Sequence, residues 1–197
     1  MKVKRAYILT GGKGTRLKKR LSDKPKILAE IKNKPFIDYQ INWLIDQGIK
    51  ECFFLTKYKS NQIENYIKKN QYKYKAKLFF IKEEEFLGTG GAIKNAIKKQ
   101  SIKNHFLVVN GDTYFNIKKI NNFIKFHLNN KNLLTIGCSY KNKAERYGSI
   151  VEKKGRLLSI NKNQNNIKRG LVFSGIFIIS PKLIKLYKKN KFQIENF

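Results

Sequence analysis

Short runs of β-forming residues alternate with helical patterns along most of this chain. Arg5–Leu9 and residues 52–55 are typical of strands, and between them apolar residues recur every three or four positions from 37 to 45. This alternation predicts βαβ units and a largely parallel sheet. Residues 106–109 are apolar at every position, which predicts a central strand buried on both faces. We therefore expect an α/β fold with a mainly parallel, mixed sheet.

The same patterns give the order of the remaining elements. Further strands are expected at 76–81, 133–140 and 171–179, with a hairpin formed by 149–152 and 157–160. The first helix is expected to end at Gly48. Further helices are expected to begin at Ser60 and after Gly91, and another to cover 120–128. A last helix is expected with Ser180 as its N-cap and Pro181 as its first residue. Because no repeat or linker divides the sequence, we expect one domain over residues 1–197.

Composition narrows the class of protein. Hydrophobic residues make up 41% of the 197 positions, which is enough for a packed core and too many for a wholly disordered chain. No apolar run approaches the ~18 residues of a membrane helix, and residues 6–9 are too short for a signal-peptide core. Cys52 and Cys138 both lie in apolar strand-like runs, which favours buried free thiols over a disulfide. We therefore expect a cytoplasmic protein with no membrane span.

The charge of the chain is strongly positive. Lys and Arg total 43 against 13 Asp and Glu, a formal net charge of +30. Such a charge allows nucleic-acid binding. The abundant Lys, Asn and Ile are all encoded by A/T-rich codons, however, and the lysines are scattered in doublets rather than collected in one basic arm. We therefore favour an anionic small-molecule substrate and expect no specific nucleic-acid partner.

The loop after the first strand is rich in glycine and contains Gly11, Gly12 and Gly14 before Arg16. Glycines let backbone N–H groups approach an anion or a nucleobase closely, and an arginine can clamp phosphate oxygens. The loop is not a P-loop, because Tyr7 stands where that motif needs a glycine. It also lacks the third glycine of the dinucleotide-binding motif. From this segment alone, a plain glycine-rich turn remains an alternative.

Several short blocks follow one another in a recognisable order. They are GGKGTRL at 11–17, DKPK at 23–26, NKPF at 33–36, LGTGGA at 87–92, VNGDT at 109–113 and RYG at 146–148. In this order they resemble the sugar-1-phosphate nucleotidyltransferases, and within that family the heptose 1-phosphate guanylyltransferase branch. The resemblance covers essentially the whole chain. It implies a single Rossmann-like nucleotide-diphospho-sugar transferase domain.

The resemblance also implies a reaction and roles on the nucleotide side. A sugar-1-phosphate oxygen would attack the α-phosphorus of a nucleoside triphosphate, with GTP favoured, and release pyrophosphate. The nucleotide would be bound by the backbone of the loop, at Gly11, Gly12, Gly14 and Thr15. Arg16 would hold the departing phosphates, and Lys26 would stabilise the charge at the α-phosphate. For any one lysine in such a chain, an ordinary solvated side chain is the alternative.

On the other side of the expected site, Gly88, Thr89 and Gly90 would border the base and sugar pocket, at a helix N-terminus that favours anions. Gly91 belongs to the same border, and the alternative for Gly90 and Gly91 is that they merely allow a tight helix start. Gly111, Tyr147 and Gly148 would lie on the sugar side.

Asp112 directly follows a predicted central strand. Open α/β folds bind their ligands at the carboxyl ends of such strands. The resemblance implies that it binds Mg²⁺, which prefers oxygen ligands shared with substrate phosphates. The alternative is an Asp that closes a turn after the strand. His105 and His127 have no metal-binding or triad spacing, so we assign both to structure.

The chain departs from the family pattern at several positions. Ile27 and Glu30 stand at two positions where the family has proline, Lys162 and Asn163 stand where it tends to have a Glu-Lys pair, and Phe173 replaces a polar residue. The sequence also stops before the family's Asp-Ile-Gly-type segment, which supplies a second carboxylate to the metal. The missing carboxylate makes a non-catalytic nucleotide or nucleotide-sugar binding protein one alternative to an enzyme. The diffuse charge of +30 makes a basic nucleic-acid binder a second, lesser alternative.

Overall fold

The computed structural model of the chain describes residues 3–12, 14, 23–142, 149–161 and 169–194. The strands are β1 Arg5–Leu9, β2 Glu30–Ile31, β3 Lys34–Pro35, β4 Glu51–Thr56, β5 Lys77–Lys82, β6 Phe106–Asn110, β7 Leu134–Lys141, β8 Ser149–Lys153, β9 Arg156–Asn161 and β10 Gly170–Ile179. The helices are α1 Phe36–Asp46, α2 Ser60–Asn70, α3 Gly88–Gln100, α4 Asn121–Asn129 and α5 Pro181–Leu186, with 3-10 turns at Lys26–Leu28 and Gln71–Lys73.

The central sheet has six strands in the order β5-β4-β1-β6-β10-β7. β5, β4, β1 and β6 run parallel, whereas β10 runs antiparallel to both β6 and β7. The predicted α/β fold with a mainly parallel, mixed sheet is therefore confirmed. The connections from β1 lead first to β4 on one side and later to β6 on the other, so the carboxyl end of β1 lies at a topological switch point.

Two apolar cores lie on opposite faces of this sheet. α1 and α2 cover one face with Ile37, Ile41 and Ile63, and α3 and α5 cover the other with residues that include Ile93 and Ile184. The strands contribute alternate side chains to each core, as a period of two requires. β6 illustrates this, since Leu107 and Val109 belong to the first core and Phe106 and Val108 to the second.

The ends of α1 and the start of α5 lie at residues whose own conformation or hydrogen bonding favours a helix boundary. α1 follows Pro35, and the chain turns after it at Gly48, whose φ of +83° is readily adopted only by glycine. α5 begins at Pro181 after Ser180, whose Oγ accepts a hydrogen bond of 3.3 Å from the Lys182 N–H. The predicted hairpin is also present, because β8 pairs antiparallel with β9.

One expectation about the cysteines is wrong. Cys52 is buried, but Cys138 is exposed. Cys138 lies in β7, the last strand of the sheet, and an edge strand is covered less completely than an inner one. Both thiols are free, as expected. Among the described residues, no helix is long and apolar enough to cross a membrane.

Candidate active site at the carboxyl ends of the parallel strands

The carboxyl ends of β1, β4 and β6 meet in one small region. The Thr10 N–H and its hydroxyl both donate to the Leu55 carbonyl, at 3.0 and 2.9 Å, so the chain leaving β1 is fixed to β4. On the other side, the Gly111 N–H donates to the Leu9 carbonyl at 3.0 Å. The glycine-rich loop and the segment after β6 therefore start side by side at the switch point, where open α/β sheets bind ligands.

The described glycines of the first loop differ in their surroundings. A Cβ on Gly12 would meet no atom of the described residues within 4 Å, so none of them crowds its backbone. A Cβ on Gly11 would stand 3.1 Å from Glu83 Oε1. Gly14 has a φ of +62°, in the left-handed region. Thr15 and Arg16 lie outside the described residues.

Lys26 and Asp112, which are 86 positions apart in sequence, form an ion pair at this site. Lys26 Nζ lies 2.5 Å from Asp112 Oδ2. The two side chains are 36% and 43% exposed, so solvent reaches both. The structure thus brings together the two residues that were assigned to phosphate and to metal.

The backbone at Lys26 is held in place from two sides. Within the 3-10 turn, the Leu28 N–H donates to the Pro25 carbonyl at 2.9 Å. Ile27 is buried, and its Cδ1 would lie 3.3 Å from a Cβ on Gly111. Because Gly111 directly precedes Asp112, this contact sets the Lys26 side chain opposite the carboxylate.

The start of the same segment is fixed to α2. Lys59 Nζ forms an ion pair with the Asp23 carboxylate and donates to the Asp23 carbonyl, and Gln62 Nε2 donates to that carbonyl at 3.2 Å. The DKPK block is therefore anchored both at its first residue and just after its last.

The segment around Asp112 is packed closely against its neighbours. The register of β10 against β7 shifts between Phe173 and Phe177, and within this irregularity Gly175 has a φ of +79°. A Cβ on Gly175 would stand 2.9 Å from Thr113 Oγ1. The irregular part of β10 therefore lies directly against the segment that carries Asp112.

Beyond Asp112, the chain rests on α1. The Trp43 ring stacks on the Phe115 ring with centroids 4.8 Å apart, and Trp43 Nε1 donates to the Ile117 carbonyl at 3.0 Å. Gln40, on the same helix, donates from Nε2 to the Asn110 carbonyl at 3.1 Å. α1 therefore supports both the end of β6 and the loop that follows it.

The N-terminus of α3 is covered by residues close to the end of the described chain. The Gly90 and Gly91 N–H groups donate to the Phe192 carbonyl at 3.0 and 3.1 Å, and the Thr89 N–H donates to Gln193 Oε1 at 3.2 Å. An anion at this helix start would have to displace these acceptors. A Cβ on Gly91 would stand 2.4 Å from the Asn190 carbonyl oxygen, so these glycines permit close packing, as the structural alternative proposed.

Glu83 is a site residue that the sequence analysis missed. It is only 5% exposed and directly follows β5, with Oε1 facing the Gly11 backbone and Oε2 accepting from the Leu87 N–H at 3.3 Å. Burial raises the pKa of its carboxyl, while the Leu87 N–H and the charge of Lys57 act in the opposite direction. The run of three glutamates at 83–85, in a chain with 13 acidic residues, was the available signal.

A divalent cation at this site would depend on few protein ligands. Among the described residues, no group of three or more His, Cys, Asp or Glu side chains could hold a metal ion. Asp112 is therefore not part of such a group among these residues, and Thr113 Oγ1 lies 3.5 Å from its Oδ1. This donor set fits Mg²⁺ that is shared with substrate phosphates and keeps several waters, as Mg²⁺ commonly does.

The remaining predicted positions lie elsewhere. Tyr147, Gly148, Lys162 and Asn163 fall outside the described residues. Phe173 lies in β10, with its ring centroid 5.8 Å from that of Phe177.

His105 and His127 are 2.6 Å apart between Nδ1 and Nε2, and His127 Nδ1 lies 2.8 Å from Thr135 Oγ1. This cluster adjoins the amino ends of β6 and β7, away from the ends that meet at the site. Its position fits the structural assignment of both histidines.

Comparison with known proteins defines the class. The model of the nucleotidyl transferase family matches residues 5–193, and the chain belongs to this family. The predicted family and fold are thereby confirmed.

Individual relatives are more specific. The chain is 36% identical over 194 residues to a D-glycero-alpha-D-manno-heptose 1-phosphate guanylyltransferase of Campylobacter jejuni, covering 98% of this chain and 83% of that protein. It is 34% identical to the enzyme of the same name from Aneurinibacillus thermoaerophilus, covering 91% and 76%. The crystal structure of HddC from Yersinia pseudotuberculosis superposes with a TM-score of 0.84 at 36% identity, covering 98% of this chain and 84% of that one. HddC has also been solved in complex with GMP-PN.

Proposed function

We propose that this protein transfers a guanylyl group from GTP to a heptose 1-phosphate, or a closely related hexose 1-phosphate, for the synthesis of surface-glycan precursors. A phosphate oxygen of the sugar 1-phosphate attacks the α-phosphorus, the bond to the β-phosphate oxygen breaks, and pyrophosphate leaves. The single observation that carries the proposal is the convergence of Lys26 and Asp112 beside the glycine-rich loop at the switch point. The named relatives support the choice of substrates.

Positioning and electrostatics supply most of the catalysis in such a reaction, because several negative charges must be brought together. The open backbone at Gly12 receives the nucleotide, and Arg16 holds the departing phosphates. The Lys26 ammonium is assigned to stabilising the charge that develops on the α-phosphate, and its place beside Asp112 supports this role. Gly111, Tyr147 and Gly148 are assigned to the sugar side.

Asp112 is the residue that would hold Mg²⁺ in this scheme. When bound, the cation neutralises phosphate charge and orients the phosphate oxygens for displacement. A single carboxylate suffices for this purpose, because the substrate phosphates and waters complete the coordination.

Glu83 supports the preference for GTP. Guanine presents two neighbouring N–H donors on one edge, and a carboxylate supplies two acceptor oxygens. Glu83 lies against Gly11 of the nucleotide loop and is held by the Leu87 N–H. A buried acceptor of this kind disfavours a base that offers no matching donors, because such a base would cover the carboxylate without donating a hydrogen bond to it.

We place this reaction in the cytoplasm, where nucleoside triphosphates are abundant and free thiols stay reduced.

The deciding experiment measures pyrophosphate release with four nucleoside triphosphates and a small panel of sugar 1-phosphates in the presence of Mg²⁺. We expect the highest kcat/KM with GTP and a heptose 1-phosphate. Glu83→Gln should reduce the preference for GTP over ATP by at least about tenfold, the effect of ~1.4 kcal/mol. Glu84→Gln, which changes the exposed neighbour, is the matched control and should keep the preference.

Nucleotide binding without pyrophosphate release for any pair of substrates would favour the non-catalytic alternative. Equal turnover of GTP and ATP by the unmodified protein would contradict the proposed base preference.

A further inference from the structure

Lys26 and Asp112 have separate roles in the proposed reaction, yet in this structure their side chains form an ion pair with each other. The Lys26 ammonium should meet a phosphate, and the Asp112 carboxylate should meet a divalent cation. Instead, Nζ lies 2.5 Å from Oδ2. One unit of positive charge therefore already stands where a cation would approach this oxygen.

The packing around Lys26 and Asp112 holds the two residues within reach of each other. Ile27 is buried beside Gly111, which fixes the backbones of Lys26 and Asp112 close together. The side chains themselves are 36% and 43% exposed. A partly exposed ion pair contributes little stability, so it can open without disturbing the core.

We propose that Lys26 is an internal counter-cation that keeps Asp112 closed to a divalent metal until a phosphate group draws the ammonium away. This inference rests on the proposed function and adds a regulation of the same site. Lys26 competes with the metal while the site is empty, and it releases Asp112 when nucleotide phosphate arrives. Metal and nucleotide then enter as one complex, and Asp112 does not retain a cation between turnovers.

The consequence can be measured without any turnover. Mn²⁺ binding to the protein alone, followed by electron paramagnetic resonance, reports the availability of Asp112. Lys26→Met removes the ammonium and keeps most of the apolar stem. We expect this variant to bind Mn²⁺ about fivefold or more tightly than the unmodified protein, because a nearby repulsive charge is lost. Asp112→Asn in the Lys26→Met background should abolish the gain.

Lys24→Met is the matched control. Lys24 lies two positions away and pairs with Glu30 at 2.9 Å on the surface, so this substitution removes the same charge but leaves Asp112 paired. We expect its Mn²⁺ affinity to stay within about twofold of the unmodified protein, because the Lys24 charge is paired with Glu30 and screened by solvent.

Equal Mn²⁺ affinity in the Lys26→Met variant and the unmodified protein would overturn the proposal. So would equal gains in the Lys24 and Lys26 variants, or a gain that survives Asp112→Asn. None of these measurements involves a nucleoside triphosphate, so failure of the guanylyl-transfer assay and failure of this inference are distinguishable.

Discussion

Removal of the Lys26 ammonium should slow the reaction even though it frees the carboxylate. We expect Lys26→Ala to lower kcat by more than about tenfold, because each ~1.4 kcal/mol lost from the transition state costs that factor. Steady-state pyrophosphate release under saturating GTP and sugar 1-phosphate measures the change. Lys24→Ala should retain normal turnover, and a Lys26→Ala variant that also does so would remove Lys26 from the catalytic site.

At the residue scale, the sequence predicted candidate site residues but not the contacts between them. Lys26 and Asp112 were both predicted as site residues from the short motifs around them. Their ion pair could not be predicted, because it depends on the packing of Ile27 against Gly111 across the fold. Glu83 was missed, because the run of glutamates at 83–85 does not show which of the three is buried, and the burial of Glu83 beside Gly11 is created by the neighbouring strands. The roles of Arg16, Tyr147 and Gly148 stay predictions.

At the scale of elements, the start of α3 depends on close packing. In an exposed helix, replacement of glycine by alanine stabilises by about 1 kcal/mol. At Gly91 the new Cβ would stand 2.4 Å from the Asn190 carbonyl oxygen, so the backbone must move. We expect Gly91→Ala to lower the free energy of unfolding by about 1 to 3 kcal/mol, as overpacking does. Urea denaturation followed by circular dichroism measures this change.

Gly12→Ala is the control for Gly91→Ala, since in the part of the chain that the structure describes a Cβ at Gly12 meets nothing within 4 Å. Its stability should not fall. Equal stability of the Gly91→Ala variant and the unmodified protein would contradict the close packing described at α3.

The elements themselves were largely predictable, because hydrophobic periodicity is a local signal. The continuously apolar 106–109 run became the buried strand β6, and the 37–45 pattern became α1. Cys138 was predicted incorrectly, because an edge position in the sheet is decided by strand order and not by the strand's own residues. Likewise, the packing of Phe192 against the first residues of α3 could not be predicted, since Phe192 and the start of α3 are about a hundred positions apart in the sequence.

At the scale of the whole molecule, stability should depend on pH through the histidine pair. Burial, with the neighbouring His105 as a smaller cause, lowers the pKa of His127 to about 4 from 6.5. The unfolded chain therefore binds a proton at a higher pH than the folded one. Stability is fully present above about pH 6.5 and is lost as the pH falls towards 4, by about 2 to 3 kcal/mol.

Chemical denaturation between pH 7.5 and 4.5 tests this dependence. His127→Gln, which keeps a polar partner for Thr135, should lose much of the slope between pH 6.5 and 4.5. An unchanged slope in that variant would exclude His127 as its source.

The net charge of +30 leads to a separate expectation for the whole molecule. Scattered lysines should give weak, sequence-independent binding to DNA or RNA that falls steeply between about 50 and 200 mM salt. Fluorescence anisotropy with two unrelated oligonucleotides can follow this. Tight, sequence-selective binding at physiological salt would instead support the nucleic-acid alternative.

The contact between α1 and the loop after Asp112 gives the protein an optical reporter of its own. Trp43 is the only tryptophan in the chain, and it touches Phe115 and the Ile117 carbonyl, a few residues beyond the carboxylate. Movement of that loop would alter the polarity and hydrogen bonding around the indole, and with them its emission. We therefore expect ligand arrival at Asp112 to change this emission, so that intrinsic fluorescence would follow binding in real time, without a label and without turnover.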